Sequence, residues 1–293
     1  MASLRHNAPI VKFHSAISDL DSAARATDAI VTELRAALDG VDAAFVFFTA
    51  HHRTQAEMIR QAISSELEPK TLIGCSAEGV IGGEIEIERE PGIAVLAGEL
   101  PGVRLHPMHI AADNWRTVLS KPDEFQRQLG CADDTRAIIG FGDPWTTPLN
   151  QFMQAIDMLA PKSPLIGGMA SAANSAGENV LLCNEDTVNG GFVGVSLSGP
   201  VEVKTVVSQG ARPIGGPLVI TKGHDNIIEQ LGGKPAMRML EEMFATLSSE
   251  DQMLLQHGLL IGRAISEYRE QFTRGDFLVR NITGADEKSG AMA

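Results

Sequence analysis

Cys75 is the side chain in this sequence best suited to nucleophilic chemistry, and His51 and His52 are the bases that could activate it. Each follows or ends a short apolar run of the kind that forms a buried strand. Neighbouring parallel strands would bring these side chains to one carboxyl edge, where open α/β sheets hold their ligands. A thiol-dependent or hydrolytic enzyme using Cys75 with His51 or His52 is therefore one reading. Two features oppose it. Free Cys is among the residues most often simply buried, and a related turn later in the chain has Gly168 where this one has Cys75. A turn that forms without a thiol does not need one, so no catalytic residue is assigned.

The second reading is a binding site. Gly74, Cys75 and Ser76 open a small-residue turn after Leu72-Ile73, and Gly167 and Gly168 open another after Leu165-Ile166. Small residues let backbone N–H groups approach an anion, so such turns could hold a carboxylate. Neither turn has the spacing of a dinucleotide or phosphate loop. Asp143-Pro144-Trp145 follows the strand that precedes the second turn. There an Asp could anchor an ammonium group and a Trp could form a flat apolar wall, or the segment could be an Asp-Pro turn with a packed Trp. His51 and His52 are adjacent, and no His/Asp/Glu cluster completes a metal site. No metal or cofactor is expected. Glu84, Glu86, Glu88 and Glu90 alternate as one solvated face of a hairpin does.

These residues need elements to position them. Ser18 to Leu38 has the apolar spacing of an amphipathic helix, ending at Gly40. Ala43 to Phe48 is a buried strand. Thr54-Gln55-Ala56-Glu57 has the form of a capping box for a helix that ends before Pro69. Thr71 to Cys75, Ile93 to Ala97 and Val103 to Ile110 are further strands. The same order then recurs. Ala137 to Phe141 repeats Ala44 to Phe48, and Leu165 to Gly168 repeats Leu72 to Cys75, both 93 positions later. Between them, Thr147-Pro148 opens a helix whose Leu149, Phe152, Met153, Ile156 and Leu159 form a buried stripe. Gly191 to Ser196 and Pro200 to Val207 repeat the later strand pair, with Gly191 matching Gly92. Two β-α-β-β-β halves forming mixed sheets follow, an α+β fold. Beyond Pro213 come a strand at Leu218 to Thr221, a helix from Pro235 to Leu247, and strands at Leu259 to Ile265 and Phe277 to Ile282.

The expected organisation is a polar N-terminal segment over residues 1–17, a duplicated domain over 18–213 and a smaller α/β domain over 214–293. Lys and Arg number 24 and Asp and Glu 37, a formal charge of −13. That balance opposes nucleic-acid and anionic-membrane partners, which require clustered cations. No apolar run is long enough to span a bilayer, and the first ten residues lack the unbroken apolar stretch of a signal peptide. Three scattered cysteines do not make a disulfide scaffold. A cytoplasmic location is expected.

Leu72-Ile73-Gly74-Cys75-Ser76-Ala77, Pro164 to Gly168, Gly191 to Val195, Ser208 to Gly215 and Val219 to Lys222 together resemble the FIST sensory domain. Gly232 to Ala236 and Gly275 to Arg280 resemble its C-terminal partner domain. The resemblance runs from about Asp19 to Ala285. It implies a small-ligand-binding input module of signal transduction, with amino acids or related small carboxylates as ligands and a separate output protein as partner. It carries over no catalytic residues. Ala211 stands where family members often have Cys, so no thiol acts there. The partner domain normally continues past the position of Ala293, so its core is expected to be incomplete. The expected ligand-binding residues are Gly74, Cys75, Ser76, His51, Asp143, Trp145, Gly167, Gly168 and Arg212. A second site is expected around Arg212, Lys222 and His224.

Overall fold

The computed structural model describes residues 10–206, 211, 213–256, 259–264 and 277–293. The chain divides into two compact units, Met1–Lys204 and Thr205–Ala293.

In the first unit the order is β1 (Lys12–Ser18), α1 (Ala23–Ala37), β2 (Ala43–Thr49), a 3-10 turn (Ala50–Gln55), α2 (Ala56–Leu67), β3 (Thr71–Ala77), β4 (Gly79–Gly82), β5 (Ile85–Glu88) and β6 (Ile93–Glu99). It continues with β7 (Arg104–Ile110), α3 (Trp115–Leu119), α4 (Pro122–Leu129), β8 (Thr135–Gly142), α5 (Leu149–Leu159), β9 (Leu165–Met169), β10 (Leu181–Cys183), β11 (Asp186–Val188) and β12 (Phe192–Ser198). One sheet has the order β1-β6-β2-β3-β10-β11, and the other β7-β12-β8-β9. β2–β3 and β8–β9 are parallel, as a strand-helix-strand crossover requires, and all other pairings in these two sheets are antiparallel. The fold is the expected α+β with mixed sheets.

Side-chain alternation along the strands builds three apolar layers. Ala44, Val46 and Phe48 of β2 pack with Ile30, Leu34, Ile59 and Ile63 of α1 and α2. Their neighbours Ala43 and Phe45 face the opposite way, into a layer with Ile73, Cys75, Leu181, Val193 and Val195 drawn from both sheets. Phe152, Ile156 and Trp115 of the later helices cover the far face of the second sheet with Ile138 and Phe192.

The halves begin one strand earlier than the sequence pattern suggests. β1, inside the segment expected to be polar lead-in, pairs along β6, whereas β7 pairs with β12 and belongs to the second half. The repeated unit thus starts with β1 or β7. Residues 200–206 form no strand, and Val207 lies outside the described residues. Register also moves one match. Ala44 lies opposite Leu72 and Ile138 opposite Leu165, so Ala44 corresponds to Ile138 rather than Ala137. The first helix is capped by Ser22, whose hydroxyl accepts from Arg25 N–H, because Ser18 is used in β1. The capping box at Thr54 does not form. Gln55 is the N-cap residue without a side-chain bond, and the Glu57 carboxylate is engaged elsewhere. Leu149 and Met153 of the expected buried stripe in α5 are exposed.

The second unit contains β13 (Ile220–His224), β14 (Ile227–Leu231), β15 (Lys234–Pro235), α6 (Ala236–Phe244), α7 (Ser249–Gln256), β16 (Leu260–Ala264), β17 (Phe277–Asn281), β18 (Ala285–Asp286) and β19 (Ala291–Met292). Its buried centre is small, with Leu231, Ala236 and Met292 at its heart.

Gly74 and Gly167 have one steric cause. A Cβ on Gly74 would lie 2.1 Å from the Val46 carbonyl oxygen of the parallel neighbour, and one on Gly167 would lie 1.8 Å from that of Gly140. We expect Gly74→Ala to lower the unfolding free energy by about 3 kcal/mol, the cost of forcing paired backbones apart. Gly168→Ala, where a Cβ meets nothing within 4 Å, should stay within about 0.5 kcal/mol of the parent. Chemical denaturation of the two variants measures the contrast.

Candidate functional site

Gly74, Cys75 and Ser76 lie within β3 rather than in an open turn, and all three are buried. The thiol of Cys75 packs in the layer between the sheets, and burial pushes its pKa up to about 12. The Ser76 hydroxyl accepts from Val180 N–H at 2.9 Å, and Ser76 N–H donates to the Val180 carbonyl at 2.8 Å. None of these groups faces an opening. His51 is exposed in the 3-10 turn, and its Nδ1 lies 3.4 Å from the Thr49 hydroxyl. His52 is buried, and burial followed by the charge of His51 lowers its pKa, so it is neutral at neutral pH.

Asp143 is fully buried. Its backbone N–H donates to Gly191 O at 2.9 Å, as Thr49 N–H donates to Gly92 O at 2.9 Å in the first half. Asp143 is therefore the counterpart of Thr49, a strand-closing residue. Its carboxylate accepts from the Thr146 hydroxyl at 2.7 Å and from Asn179 Nδ2 at 3.0 Å. Trp145, two residues on, is exposed and holds the position that His51 holds in the first half. Asp143 and Trp145 do not converge on one ligand: the carboxylate turns inward and the indole outward. Gly168 is exposed on β9. Arg212 lies outside the described residues. Lys222 and His224 both grip Glu229, at 2.5 and 3.1 Å, and hold its carboxyl below the usual range. They line a cavity of about 600 Å³ in the second unit together with Asp286 and Ser289.

A different group of residues meets at the carboxyl end of the β2–β3 parallel pair. Arg53 and Thr54 from the 3-10 turn, Ala56 and Glu57 from the start of α2, Gly177, Glu178 and Val180 from the loop before β10, and Thr187 and Asn189 around β11 line a groove of about 360 Å³. Both halves contribute. The Asn189 amide donates to the carbonyls of Gly177 and Asn179, each at 3.2 Å. Asp143 holds the same loop through Asn179, whose Oδ1 is buried without a partner among the described residues. Asp143 is thus a positioning residue for the groove. Among the described residues the Arg53 guanidinium has one ion-pair contact, with Glu178 at 3.8 Å. Neither Arg53 nor Asn189 stands out in the sequence, because their relevance arises when the loop that Asn189 holds, more than a hundred residues beyond Arg53, closes over the first half.

Beneath the groove, Arg60 is buried and donates to both Glu57 carboxylate oxygens, at 3.0 and 2.7 Å, and to Asn184 O at 2.9 Å. The Thr187 hydroxyl donates to Glu57 at 2.6 Å. Arg60, with Thr187 and Gln61, holds the Glu57 carboxyl down to about 2 from 4.5. Among the described residues no group of three or more His, Cys, Asp or Glu could hold a metal ion, and no helix is long and apolar enough to cross a membrane.

Two outcomes follow. A carboxyl whose pKa is lower folded than unfolded adds stability above its unfolded value and loses it as pH falls through the folded value. Stability should therefore decline between about pH 4.5 and about pH 2. Glu57→Gln should flatten that part of the melting-temperature profile, whereas Arg60→Met should cost roughly 2–3 kcal/mol at neutral pH by stranding the Asn184 carbonyl. Native-state alkylation should leave Cys75 and Cys183 unmodified and label Cys131 first, since Cys131 is the least buried of the three.

The profile of the FIST N domain matches residues 42–234. Uncharacterized protein Rv0628c of Mycobacterium tuberculosis is 33% identical over 242 residues, covering 82% of this chain and 61% of the relative. Uncharacterized protein Mb0898c of Mycobacterium bovis is 31% identical over 242 residues, with the same coverage of 82% and 61%. The chain thus spans 61% of the length of these relatives. FIST domains are sensory domains of signal transduction, and with its profile matched across both halves of the first unit this chain belongs to the FIST family.

Proposed function

We propose that this chain is a sensory input module that binds a small carboxylate, an amino acid or a close relative, in the groove at the carboxyl end of β2 and β3. The observation that carries the reading is Arg53. It is a partly buried guanidinium whose only ion-pair contact among the described residues is long, in a groove framed by fixed polar groups. A guanidinium presents a planar fork that matches a carboxylate. Glu178, half exposed across the groove, and the Asn189 side chain can meet an ammonium or hydroxyl group on the same ligand. His51, two residues before Arg53 in the same 3-10 turn, lies outside the groove lining. Gly74, Cys75, Ser76, Asp143 and Gly167 act one step behind, by closing the strands and holding the loop.

The burial of Cys75 supports binding rather than thiol catalysis, since a thiol kept neutral between two sheets cannot attack a substrate. The chain's charge of −13 supports a small-molecule partner over nucleic acid or an anionic membrane. A cytoplasmic location and a separate output protein complete the proposal.

A thermal-shift screen against amino acids and related carboxylates tests it, because binding to the folded form alone raises apparent stability. We expect at least one compound to raise the melting temperature, and Arg53→Gln to remove that rise while leaving the ligand-free melting temperature near the parent's. Flat melting curves across the panel would overturn the reading.

A further inference from the structure

The two halves treat the outer edge of their second parallel strand differently. In β3, Leu72, Gly74 and Ser76 turn their backbone groups away from β2, and the β10–β11 hairpin takes them up. Ser76 N–H donates to Val180 O and Asn184 N–H to Leu72 O, each at 2.8 Å, and Gly74 lies opposite Leu182. β9 is the counterpart of β3 and has the same alternation. Ile138 N–H donates to Pro164 O at 2.9 Å and Ala170 N–H to Gly142 O at 2.8 Å. The even-numbered residues from Pro164 to Ala170 therefore face β8, and Leu165, Gly167 and Met169 face outward. Among the described residues no strand pairs with that edge. β9 is half-buried to exposed along its length, whereas β3 is buried up to Ser76.

An unpaired edge is a template for another strand. The outward residues of β9 are symmetric about Gly167, the middle of the strand. A twofold axis there would set Leu165 of one copy opposite Met169 of the other and satisfy every outward N–H and C=O. The antiparallel orientation is the one already used at the matching edge of β3. Charge favours a second copy too. The segment from Ser163 to Ser171 carries no ionisable side chain in a chain of net charge −13, so two copies meet here with the least repulsion. Gly167 and Gly168 present no side chain to obstruct approach. Trp145, Leu149 and Met153, spaced every four residues into and along the helix that leads to β9, are 54%, 40% and 47% exposed. They add exposed apolar side chains to the half that carries the unpaired edge.

We propose that β9 is a homodimerisation edge: two copies of this chain pair their β9 strands antiparallel about Gly167, continuing the four-stranded sheet from one copy into the other.

Sedimentation velocity and hydrogen exchange on the 293-residue chain test the pairing. We expect a dimer that dissociates on dilution, with the Gly167 and Met169 amides protected in the dimer and fast-exchanging once diluted. Gly168→Lys places like charges across the twofold at a position where a Cβ meets nothing within 4 Å, and should give a folded monomer by circular dichroism. A dimer that survives Gly168→Lys in folded form would overturn the proposal by placing the interface elsewhere. So would a wild-type monomer at every concentration, whether its β9 amides exchange fast or are protected by a strand of the same chain. The dilution series on the wild-type protein decides the matter even where the variant fails to fold.

Discussion

The first unit depends on an exchange: the β10–β11 hairpin belongs to the second half by sequence and to the first half's sheet by hydrogen bonding. Leu181, Leu182 and Cys183 pair with Cys75, Gly74 and Ile73, and the same three residues contribute to both the helix-facing and the inter-sheet layers. A buried guanidinium secures the exchange. Arg60 projects from α2 of the first half to the Asn184 carbonyl at the hairpin tip, while Glu57 accepts from both Arg60 and Thr187. Isolated surface ion pairs contribute little. This one is different in kind, because Arg60 is removed from water and makes directed hydrogen bonds to Glu57 and to the Asn184 carbonyl, so loss of a partner leaves a polar group stranded.

The candidate groove is a consequence of that exchange. Strand β3 would otherwise end at an open edge, and the carboxyl ends of β2 and β3 would be bounded on one side only. The loop from Ser171 to Val180 must cross the top of the first sheet to deliver β10, and Gly177 and Glu178 become a wall facing Arg53 on its way. The loop is anchored rather than free, since Asp143 and Asn189 each hold it by hydrogen bonds. A small carboxylate would therefore meet a preorganised set of donors, which lowers the ordering cost of binding.

Duplication did not leave two equivalent sites. Thr49 and Asp143 close corresponding strands, and His51 and Trp145 follow them at corresponding positions, yet the first half carries Arg53 and a covered edge while the second carries exposed apolar side chains and an edge with no paired strand among the described residues. The asymmetry divides labour, with a polar groove at one strand end and an associating edge near the other.

Much of the architecture was legible in the residues. Short Val/Ile/Phe runs mark the strands, the recurring Leu-Ile-Gly marks the duplication, and Gly92 and Gly191 do correspond, each accepting from the residue that closes the adjacent strand. Local periodicity determines which face of an element is apolar, because the α and β repeats are properties of consecutive residues. It does not say which strand lies beside which, and for that reason local pattern alone reads Lys12–Ser18 as a lead-in, Cys75 and Asp143 as groups facing a ligand, and Thr54 and Glu57 as a cap. By itself the sequence determined most of the elements and the repeat; the steric need for Gly74 and Gly167 belongs to the tertiary structure, where a parallel neighbour's carbonyl leaves no room for a Cβ. Tertiary structure alone decided that the β10–β11 hairpin would leave its own half, while the β4–β5 hairpin stayed with the first. From that choice follow the burial of Ser76, the capture of Glu57 by Arg60 and the meeting of Arg53 with Glu178, contacts between residues too far apart along the chain for any local pattern to encode.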